Sequence, residues 1–438
     1  MAELIIIGGG LAGCEAAWQA ANLGINVILF EMRPEKMTEA HKTPLLSELV
    51  CSNSLRSKEI NTGAGLLKKE LEMAGSLIIE AAKRTEIPAG SALAVDRILF
   101  SEFVTQAIER HPKIRVIRKE VTEIPEGISI IATGPLTSQK LAEALKSIIG
   151  EDNLYFYDAI APIIDAMSID YSKVYSSSRY GKGSDDYINC PLTKEEYYNF
   201  YNALIEADTV TAREFEDKKV FEGCMPIEVM ARRGINTLRF GPLRPIGLPD
   251  PSTGKIPYAV VQLRSENKEK TAFNMVGFQT RLKWSEQKRV FRMIKGLENA
   301  EFLRFGSIHR NTYINSPIHL NLDLSLKRKN NLYLAGQITG VEGYIESTAM
   351  GLLCGINTAR RLLNLEPLIP SERTAHGALL RHITKSDPKS FQPSNINFGL
   401  ISVNQDILNI RDKNLRREKI VQIALDDWKD YIKSCQIK

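Results

Sequence analysis

The sequence lacks the features that would place it in several large classes of proteins. No apolar run approaches the roughly 20 residues needed to cross a bilayer. The N-terminus does not follow the basic, apolar and small-residue pattern of a signal peptide. The six cysteines are widely scattered, and no Cys-x-x-Cys occurs. We therefore expect a cytoplasmic protein with reduced thiols and no membrane partner, without a dithiol redox motif or a four-cysteine zinc site.

An excess of either charge is also missing. Lys and Arg total 57 and Asp and Glu total 52 in a chain of 438 residues, which leaves a net charge of +5. That excess is too small to indicate a nucleic-acid partner by itself. No cluster of His, Cys, Asp and Glu has the spacing of metal ligands, so no metal is expected. At about 150 residues per domain, the length indicates two or three domains.

A glycine-rich loop near the N-terminus is the first informative feature that is present. Residues 4–7 are a short apolar run, typical of a strand buried on both faces of a parallel sheet. The loop at 8–13 follows, and then come an alanine-rich helical stretch at 14–23 and a second apolar strand at 26–30. This order of strand, G-x-G-x-x-G, helix and strand predicts a dinucleotide-binding unit.

Each glycine of this motif has a physical role. Gly8 allows the tight turn, Gly10 lets a pyrophosphate approach the backbone, and Gly13 lets the helix pack closely on the strand. Glu31, at the end of the second strand, is expected to accept hydrogen bonds from ribose hydroxyls. The alternative is an ordinary glycine turn of an α/β sheet.

Two later segments narrow the choice of dinucleotide. Residues 128–132 read as a strand that ends in an Ala-Thr-Gly turn, which is common in flavoproteins with two dinucleotide-binding domains. A strand at 331–335 runs into a glycine turn and a helical stretch rich in small residues at 344–363, which suits the closing half of an FAD domain. The predicted FAD ligands here are Gly134, Gly336, Gln337, Gly340, Glu342 and Gly343. FAD is therefore favoured, and NAD alone is the alternative.

Several other segments are not explained by periodicity, but together they resemble one family. They are residues 49–57 (LVCSNSLRS), 221–228 (FEGCMPIE), 237–248 (TLRFGPLRPIGL), 274–280 (NMVGFQT), 306–311 (GSIHRN) and 336–343 (GQITGVEG). With them the sequence resembles the folate- and FAD-dependent tRNA uracil-5-methyltransferases of bacteria, from Leu4 to about Leu400. It departs from the family at Gly9, where alanine is usual, and at Lys295, where proline is expected. Neither is a proposed catalytic group.

The resemblance implies a defined reaction. The methylene group of 5,10-methylenetetrahydrofolate goes to C5 of the T-loop uridine of tRNA, reduced FAD supplies the electrons, and NADH or NADPH reduces the flavin again. C5 of uracil is a poor nucleophile, but addition of a thiolate at C6 turns the ring into an enolate that attacks the one-carbon unit. Because that unit arrives at the formaldehyde oxidation level, a reduction is obligatory, which explains the flavin.

The resemblance also implies roles for two cysteines and a histidine. Cys224 matches the nucleophile that adds to C6, and Cys51 matches a partner near the flavin that helps carry the methylene unit or handles the C5 proton. Without the resemblance, each would be interpreted as a small buried side chain. His309 is the candidate for stacking on or polarising the folate pterin, with a structural histidine as the alternative. The remaining cysteines are expected to be structural or incidental: Cys14, Cys190, Cys354 and Cys435.

Positive charge is concentrated in one stretch. Residues 281–310 contain eight basic and three acidic residues, an excess equal to the net charge of the chain. Helical spacing predicts that four of them share one face of a helix: Lys288, Arg289, Arg292 and Lys295. Arg232 and Arg233 belong to a second basic group just after Cys224. Together they predict a surface that contacts RNA phosphates, with a solvated charged face as the alternative.

The segments combine into an α/β fold with a discontinuous first domain. We predict a Rossmann-like, glutathione-reductase-like FAD-binding domain made of residues 1–160 and 281–438. Residues 161–280 form an inserted α+β domain with an amphipathic helix at 194–207.

The C-terminal tail has a separate pattern. After Asn404 it is charged and favours helix, with Trp428 and Tyr431 available as a docking face.

Other functions stay open at this point. Some members of the family act on ribosomal RNA, so the same chemistry on a ribosomal uridine is an alternative. A related flavoprotein family modifies the wobble uridine of tRNA, but it carries a long additional helical region for which this chain is too short. A flavin oxidoreductase without an RNA substrate is disfavoured by the missing Cys-x-x-Cys. A non-catalytic RNA-binding flavoprotein would not need Cys224. The sequence indicates no oligomeric state.

Overall fold

The computed structural model describes residues 3–38, 40–150, 154–181, 185–210, 225–267, 269–389 and 391–435, and of residues 154–160, 307–312 and 408 it describes the backbone alone. The strands are β1 (Glu3–Ile7), β2 (Asn26–Glu31), β3 (Ser54–Ser57), β4 (Glu86–Ile87), β5 (Ala92–Val95), β6 (Ile114–Arg118), β7 (Ser129–Ile131), β8 (Leu154–Ile160), β9 (Ile163–Asp165), β10 (Tyr175–Ser176), β11 (Tyr187–Leu192), β12 (Ala259–Ser265), β13 (Ala272–Met275), β14 (Phe302–Arg304), β15 (Ser307–Tyr313), β16 (Ser325–Leu326) and β17 (Lys329–Leu334). The helices are α1 (Leu11–Asn22), α2 (Gly63–Met73), α3 (Leu77–Arg84), α4 (Arg97–Arg110), α5 (Gln139–Ile149), α6 (Lys194–Glu206), α7 (Ile227–Arg232), α8 (Thr237–Phe240), α9 (Trp284–Phe291), α10 (Ser316–His319), α11 (Tyr344–Leu362), α12 (Ala375–Lys385), α13 (Gln405–Leu408) and α14 (Lys413–Cys435).

A six-stranded sheet in the order β16-β17-β7-β1-β2-β6 organises the first hydrophobic core. Its five strands from β17 to β6 are parallel, and β16 is antiparallel to β17 at one edge. The four strands expected from the apolar runs are present as β1, β2, β7 and β17. The predicted α/β class with a Rossmann-like sheet is therefore confirmed.

Two helices rich in small residues pack against each other on this sheet. A Cβ atom on Gly351 of α11 would lie 2.3 Å from the carbonyl oxygen of Ala12 in α1. One turn further on, a Cβ on Gly355 would lie 2.5 Å from the carbonyl oxygen of Ala16. Glycine is therefore needed for this close backbone approach. Because the pairs advance together, α1 and α11 run in the same direction.

An antiparallel sheet in the order β10-β11-β12-β13-β9-β14 organises the second core. The helix predicted at 194–207 is present as α6, and it packs in this core. Val290 and Phe291 of α9 also belong to it, as does Ala300. The predicted domain boundary at residue 280 therefore falls inside the second core. We propose that the inserted domain continues to about Phe305.

The C-terminal helix α14 is fastened to the first core by Trp428. Its indole Nε1 donates a hydrogen bond of 2.7 Å to the carbonyl oxygen of Glu70. The indole also stacks on the imidazole of His376, with 4.1 Å between ring centres, and on the ring of Tyr431 at 4.7 Å. The Glu70 carboxylate in turn accepts a bond of 2.7 Å from Nδ1 of His376. The expected docking face of the tail is confirmed.

Replacement of Trp428 by alanine is expected to lower the free energy of unfolding by about 3–5 kcal/mol, because it empties a fully buried site and removes the hydrogen bond of the indole to Glu70. Leu415→Ala on the same helix is the control, since that side chain is 46% exposed, and a change within about 0.5 kcal/mol is expected. Urea denaturation followed by circular dichroism measures both. Equal effects would show that α14 is not anchored through Trp428.

In the described ranges, no helix combines the length and apolar character needed to cross a bilayer. These ranges also bring together no group of three His, Cys, Asp or Glu side chains able to hold a metal ion. The cysteines within them are free thiols: Cys14, Cys51, Cys190, Cys354 and Cys435.

Candidate functional site

A cleft of about 1020 Å³, its open mouth included, lies at the carboxyl ends of the parallel strands. The loops after β1, β2, β7 and β17 line it, together with the first turn of α11. In open α/β sheets this edge is where ligands bind. The predicted FAD ligands among its lining residues are Gly8, Gly10, Glu31, Gly134, Gly336 and Gln337.

The three motif glycines of the first loop serve different needs. Gly8 has a φ of +107°, and a Cβ there would lie 2.6 Å from the carbonyl oxygen of Ala132. A Cβ on Gly13 would lie 1.8 Å from the carbonyl oxygen of Gly8. Both are required by the packing of the chain itself. A Cβ on Gly10 would meet no protein atom within 4 Å, so its missing side chain leaves space that opens into the cleft.

The carboxylate of Glu31 is held next to this loop by hydrogen bonds from Gly9 and Arg33. Its Oε2 accepts a 2.9 Å bond from the backbone N–H of Gly9, and its Oε1 accepts bonds of 3.0 Å from the backbone N–H and Nε of Arg33. Burial alone would raise the pKa of Glu31, but the hydrogen bonds and charge of Arg33 hold it below its usual value. The carboxylate is therefore ionised, and its remaining lone pairs can accept hydroxyl groups of a ligand.

The second glycine turn divides into two parts. Gly336 and Gln337 line the cleft, and Nε2 of Gln337 donates a 2.8 Å bond to the carboxylate of Glu342. Gly340 and Gly343 both have a positive φ. A Cβ on Gly340 would lie 2.5 Å from the ring of Phe391, and a Cβ on Gly343 would lie 2.2 Å from the carboxylate of Glu346. In the described part of the chain, Gly340, Glu342 and Gly343 are thus not among the cleft-lining residues. Their packing shapes the turn, and their contact with FAD stays a prediction.

Cys51 adjoins the cleft through its neighbours. The backbone N–H groups of Cys51 and Ser52 donate bonds of 2.8 and 3.1 Å to the phenol oxygen of Tyr344. Tyr344 begins α11 and lines the cleft, as does Val50. Burial raises the pKa of the Tyr344 phenol, so it keeps its proton. Tyr344 is a site residue that the sequence interpretation missed, because it was read only as the start of a helix.

Buried arginines also hold the Cys51 loop in place. Arg264 of β12 donates bonds of 3.0 Å to Asn53 and 2.9 Å to Ser52. Arg97 of α4 donates to the carbonyl oxygen of Leu49 and forms a 2.7 Å ion pair with Glu266. An element of the first core, α4, and an element of the second core, β12, therefore both position the loop. No local pattern identified these arginines, since their partners are distant in sequence.

Two predicted site residues lie outside what the structure describes. Cys224 falls between the described ranges, and of His309, in β15, only the backbone is described. The residues just after Cys224 are firmly anchored. The backbone N–H of Ile227 donates a 2.7 Å bond to the carbonyl oxygen of Gln279. The buried carboxylate of Glu228 accepts bonds from Thr280 at 2.9 Å and from the N–H of Arg281 at 3.1 Å.

The predicted RNA-contacting cations differ in their exposure and in the partners that they contact within the protein. Arg232 and Arg233 are exposed at the end of α7 and just after it, and Arg232 donates a 3.0 Å bond to a carbonyl oxygen of α6. Arg289 pairs with Glu286 at 2.5 Å, while Lys288 is exposed on the same helix. Arg292 turns back to donate bonds of 3.0 and 2.8 Å to the carbonyl oxygen of Ala300.

The predicted basic helical face is shorter than the spacing indicated. The helix ends at Phe291, so Lys295 lies beyond it and is not on its face. Lys288 and Arg289 lie on α9, Arg292 follows its last residue and Arg232 ends α7, so the predicted cations do not form one helical row.

Comparison with known proteins agrees with this architecture. The family model of glucose inhibited division protein A matches residues 3–366. The protein is 57% identical over 425 residues to the Methylenetetrahydrofolate--tRNA-(uracil-5-)-methyltransferase TrmFO of Geobacter sulfurreducens, covering 97% of this chain and 98% of that one. It is 58% identical over 429 residues to the same-named protein of Moorella thermoacetica, covering 97% of each chain.

The solved structure of Aquifex aeolicus GidA in its form II crystal superposes with a TM-score of 0.68 at 17% sequence identity. The match covers 98% of this chain and 75% of that one, and at this identity it shows a shared fold. The sequences of the Geobacter and Moorella relatives are 57% and 58% identical to this chain along nearly their whole length. A shared fold alone would not produce identity that high. The protein belongs to the glucose inhibited division protein A family and, within it, to the methylenetetrahydrofolate–tRNA-(uracil-5-)-methyltransferases.

Proposed function

We propose that this protein methylates C5 of the T-loop uridine of tRNA to give ribothymidine. 5,10-Methylenetetrahydrofolate is the one-carbon donor, FAD is the resident cofactor, and NADH or NADPH is the reductant. The observation that carries the proposal is the 57% identity with a protein of that name along 97% of the chain. The cleft beside Cys51 supports it.

The residues around the cleft fit a dinucleotide. Gly10 leaves open space at the N-terminus of α1, where unpaired backbone N–H groups and the helix dipole favour a pyrophosphate. Glu31 would hold the ribose hydroxyls. Gly134, Gly336 and Gln337 would border the rest of the cofactor.

The chain supplies thiols, positioned hydrogen bonds and cations. Bound FAD, once reduced, provides the electrons that convert a methylene group to a methyl group. Cys224 adds to C6 of the uracil, which makes C5 nucleophilic. Cys51, fixed through its backbone to Tyr344, carries the methylene unit or receives the C5 proton. His309 contacts the pterin.

The substrate RNA is bound mainly through its phosphates. The exposed cations Arg232, Arg233, Lys288 and Arg289 contact the backbone. Arg292 is retained as a weaker candidate, because its guanidinium bonds to Ala300. Since the target base is stacked within the T-loop, the enzyme flips it out of the stack. We place this reaction in the cytoplasm.

The purified protein is expected to be yellow and to methylate an unmodified tRNA transcript only when methylenetetrahydrofolate and NADH or NADPH are both present. The measurement is incorporation of label from the folate, followed by nucleoside analysis for ribothymidine. A transcript with cytidine at the T-loop position is the control and gains no label. Labelling from S-adenosylmethionine would contradict the proposal. Ribosomal RNA assayed side by side decides between the two RNA substrates.

A further inference from the structure

Three aromatic rings form a parallel stack at the surface of the second core. The indole of Trp284 stacks on Phe305 with 5.3 Å between ring centres and 15° between planes. Phe305 stacks on Phe302 at 5.2 Å and 19°. Trp284 is outermost, with 65% of its surface exposed. The outer end of the stack is thus a flat aromatic face open to solvent.

The stacked rings are held in place by packing on buried rings and by hydrogen bonds of the helix that carries Trp284. Phe302 packs on the buried ring of Phe291, which meets Phe278 edge-on at 5.4 Å. Gln287, one turn after Trp284, donates 2.7 and 2.9 Å bonds to carbonyl oxygens on either side, and its Oε1 accepts a 2.8 Å bond from the N–H of Gly306. An exposed tryptophan held this way loses little conformational entropy when a planar ligand covers it.

Uncompensated positive charge flanks the stack. The ammonium group of Lys288 lies 5.6 Å from the centre of the Phe305 ring. Within the described ranges neither Lys288 nor Arg304 has a carboxylate at ion-pair distance, whereas Lys283 pairs with Asp208 at 2.9 Å. Lys288 is therefore a cation beside this ring that is available to a negatively charged ligand.

Arg304, the residue before Phe305, carries a second cation in this part of the chain. It is half-buried, and burial together with the charge of Arg97 lowers its pKa.

We propose that the outer face of Trp284 stacks with an unpaired base of the substrate RNA, while Lys288 contacts a phosphate of that RNA. The inference rests on the proposed function. Nucleotides of an RNA loop offer both a planar base and a negative phosphate, which is the combination that this surface complements. A protein partner or a fully paired helix would not supply exposed bases.

The chain contains its own probe for this contact. Of its three tryptophans, Trp428 is buried and Trp18 is partly buried against His111, so Trp284 is the exposed one. Titration of the full-length protein with an unmodified T-arm stem-loop transcript is expected to quench tryptophan fluorescence. W284F should bind the transcript as the native protein does but without that quench, because the phenyl ring still stacks.

Replacement by a side chain of similar bulk without a ring separates stacking from apolar contact. W284L is expected to weaken binding of the stem-loop by about 10-fold, since loss of one base–aromatic stack has effects of this order. FAD content and RNA-independent NADH oxidation should be unchanged, which controls for folding. F240L is the matched control, because Phe240 is 79% exposed on α8 and contacts neither the stack nor the cleft lining; its affinity should not change.

Equal affinity of W284L and the native protein would overturn the inference, as would quenching by a paired RNA duplex as strong as by the stem-loop. Failure of the two proposals can be distinguished. If the native protein methylates tRNA with folate and W284L binds RNA normally, the function stands and the stacking contact is wrong. If W284L loses affinity but no folate-dependent methylation occurs, the contact stands and the function is wrong.

Discussion

Replacement of Cys224 by alanine is expected to abolish methylation and the covalent complex with RNA that contains 5-fluorouridine at the target position. Without the thiolate, C6 of the uracil receives no nucleophile and C5 stays unreactive. Loss of a covalent nucleophile typically lowers turnover by roughly a thousand-fold or more. The adduct is measured by its retarded migration in a denaturing gel, and methylation by label from methylenetetrahydrofolate.

Two other cysteines provide the controls for this experiment. Cys51→Ala should retain FAD and lose methylation, since its loop is held by backbone bonds to Tyr344 and not by the thiol. Cys190→Ala should keep activity, because that thiol is fully buried in the second core and burial raises its pKa. An adduct that persists in Cys224→Ala but disappears in Cys51→Ala would reverse the two roles. Full methylation by Cys224→Ala would show that Cys224 is not the nucleophile.

Gly10→Val is expected to yield a folded protein that is purified without flavin. Gly10 has a φ of −81° and a ψ of −171°, which valine adopts readily, and no protein atom lies within 4 Å of a Cβ there. The new side chain would occupy the space proposed for the pyrophosphate. Relieving that overlap costs about 3 kcal/mol or more, roughly a hundred-fold in the Kd of FAD. Absorbance near 450 nm and thermal unfolding measure flavin content and folding.

Gly127→Val is the matched control for this substitution. Gly127 also has open space around its Cβ position, but it lies outside the cleft lining in the described ranges. Normal flavin content is expected. If Gly10→Val retained FAD at the native level, the proposed seat of the pyrophosphate would be wrong. If it failed to fold, Gly10→Ala would repeat the test with a smaller side chain.

The sequence by itself determined the parts of the fold that depend on local pattern. Apolar runs of strand length located β1, β2, β7 and β17, because a strand buried on both faces needs an unbroken run. The glycine motif identified the loop of Gly8 to Gly13, since a positive φ and a contact of 1.8 Å exclude any side chain there. The small residues at 344–363 indicated the helix α11, and the structure shows that two of its glycines lie against the backbone of α1.

Only the tertiary structure decided which distant residues meet. Tyr344 holds Cys51 across 293 positions, and Trp428 docks on Glu70 across 358, contacts that no spacing rule encodes. The basic residues of 281–310 suggested a helix face that belongs to the first domain. Packing assigned α9 to the second core instead, because Val290 and Phe291 on its other face are buried there. Charge pattern describes the solvent side of a helix, whereas the position of a helix is set by the apolar side that it buries.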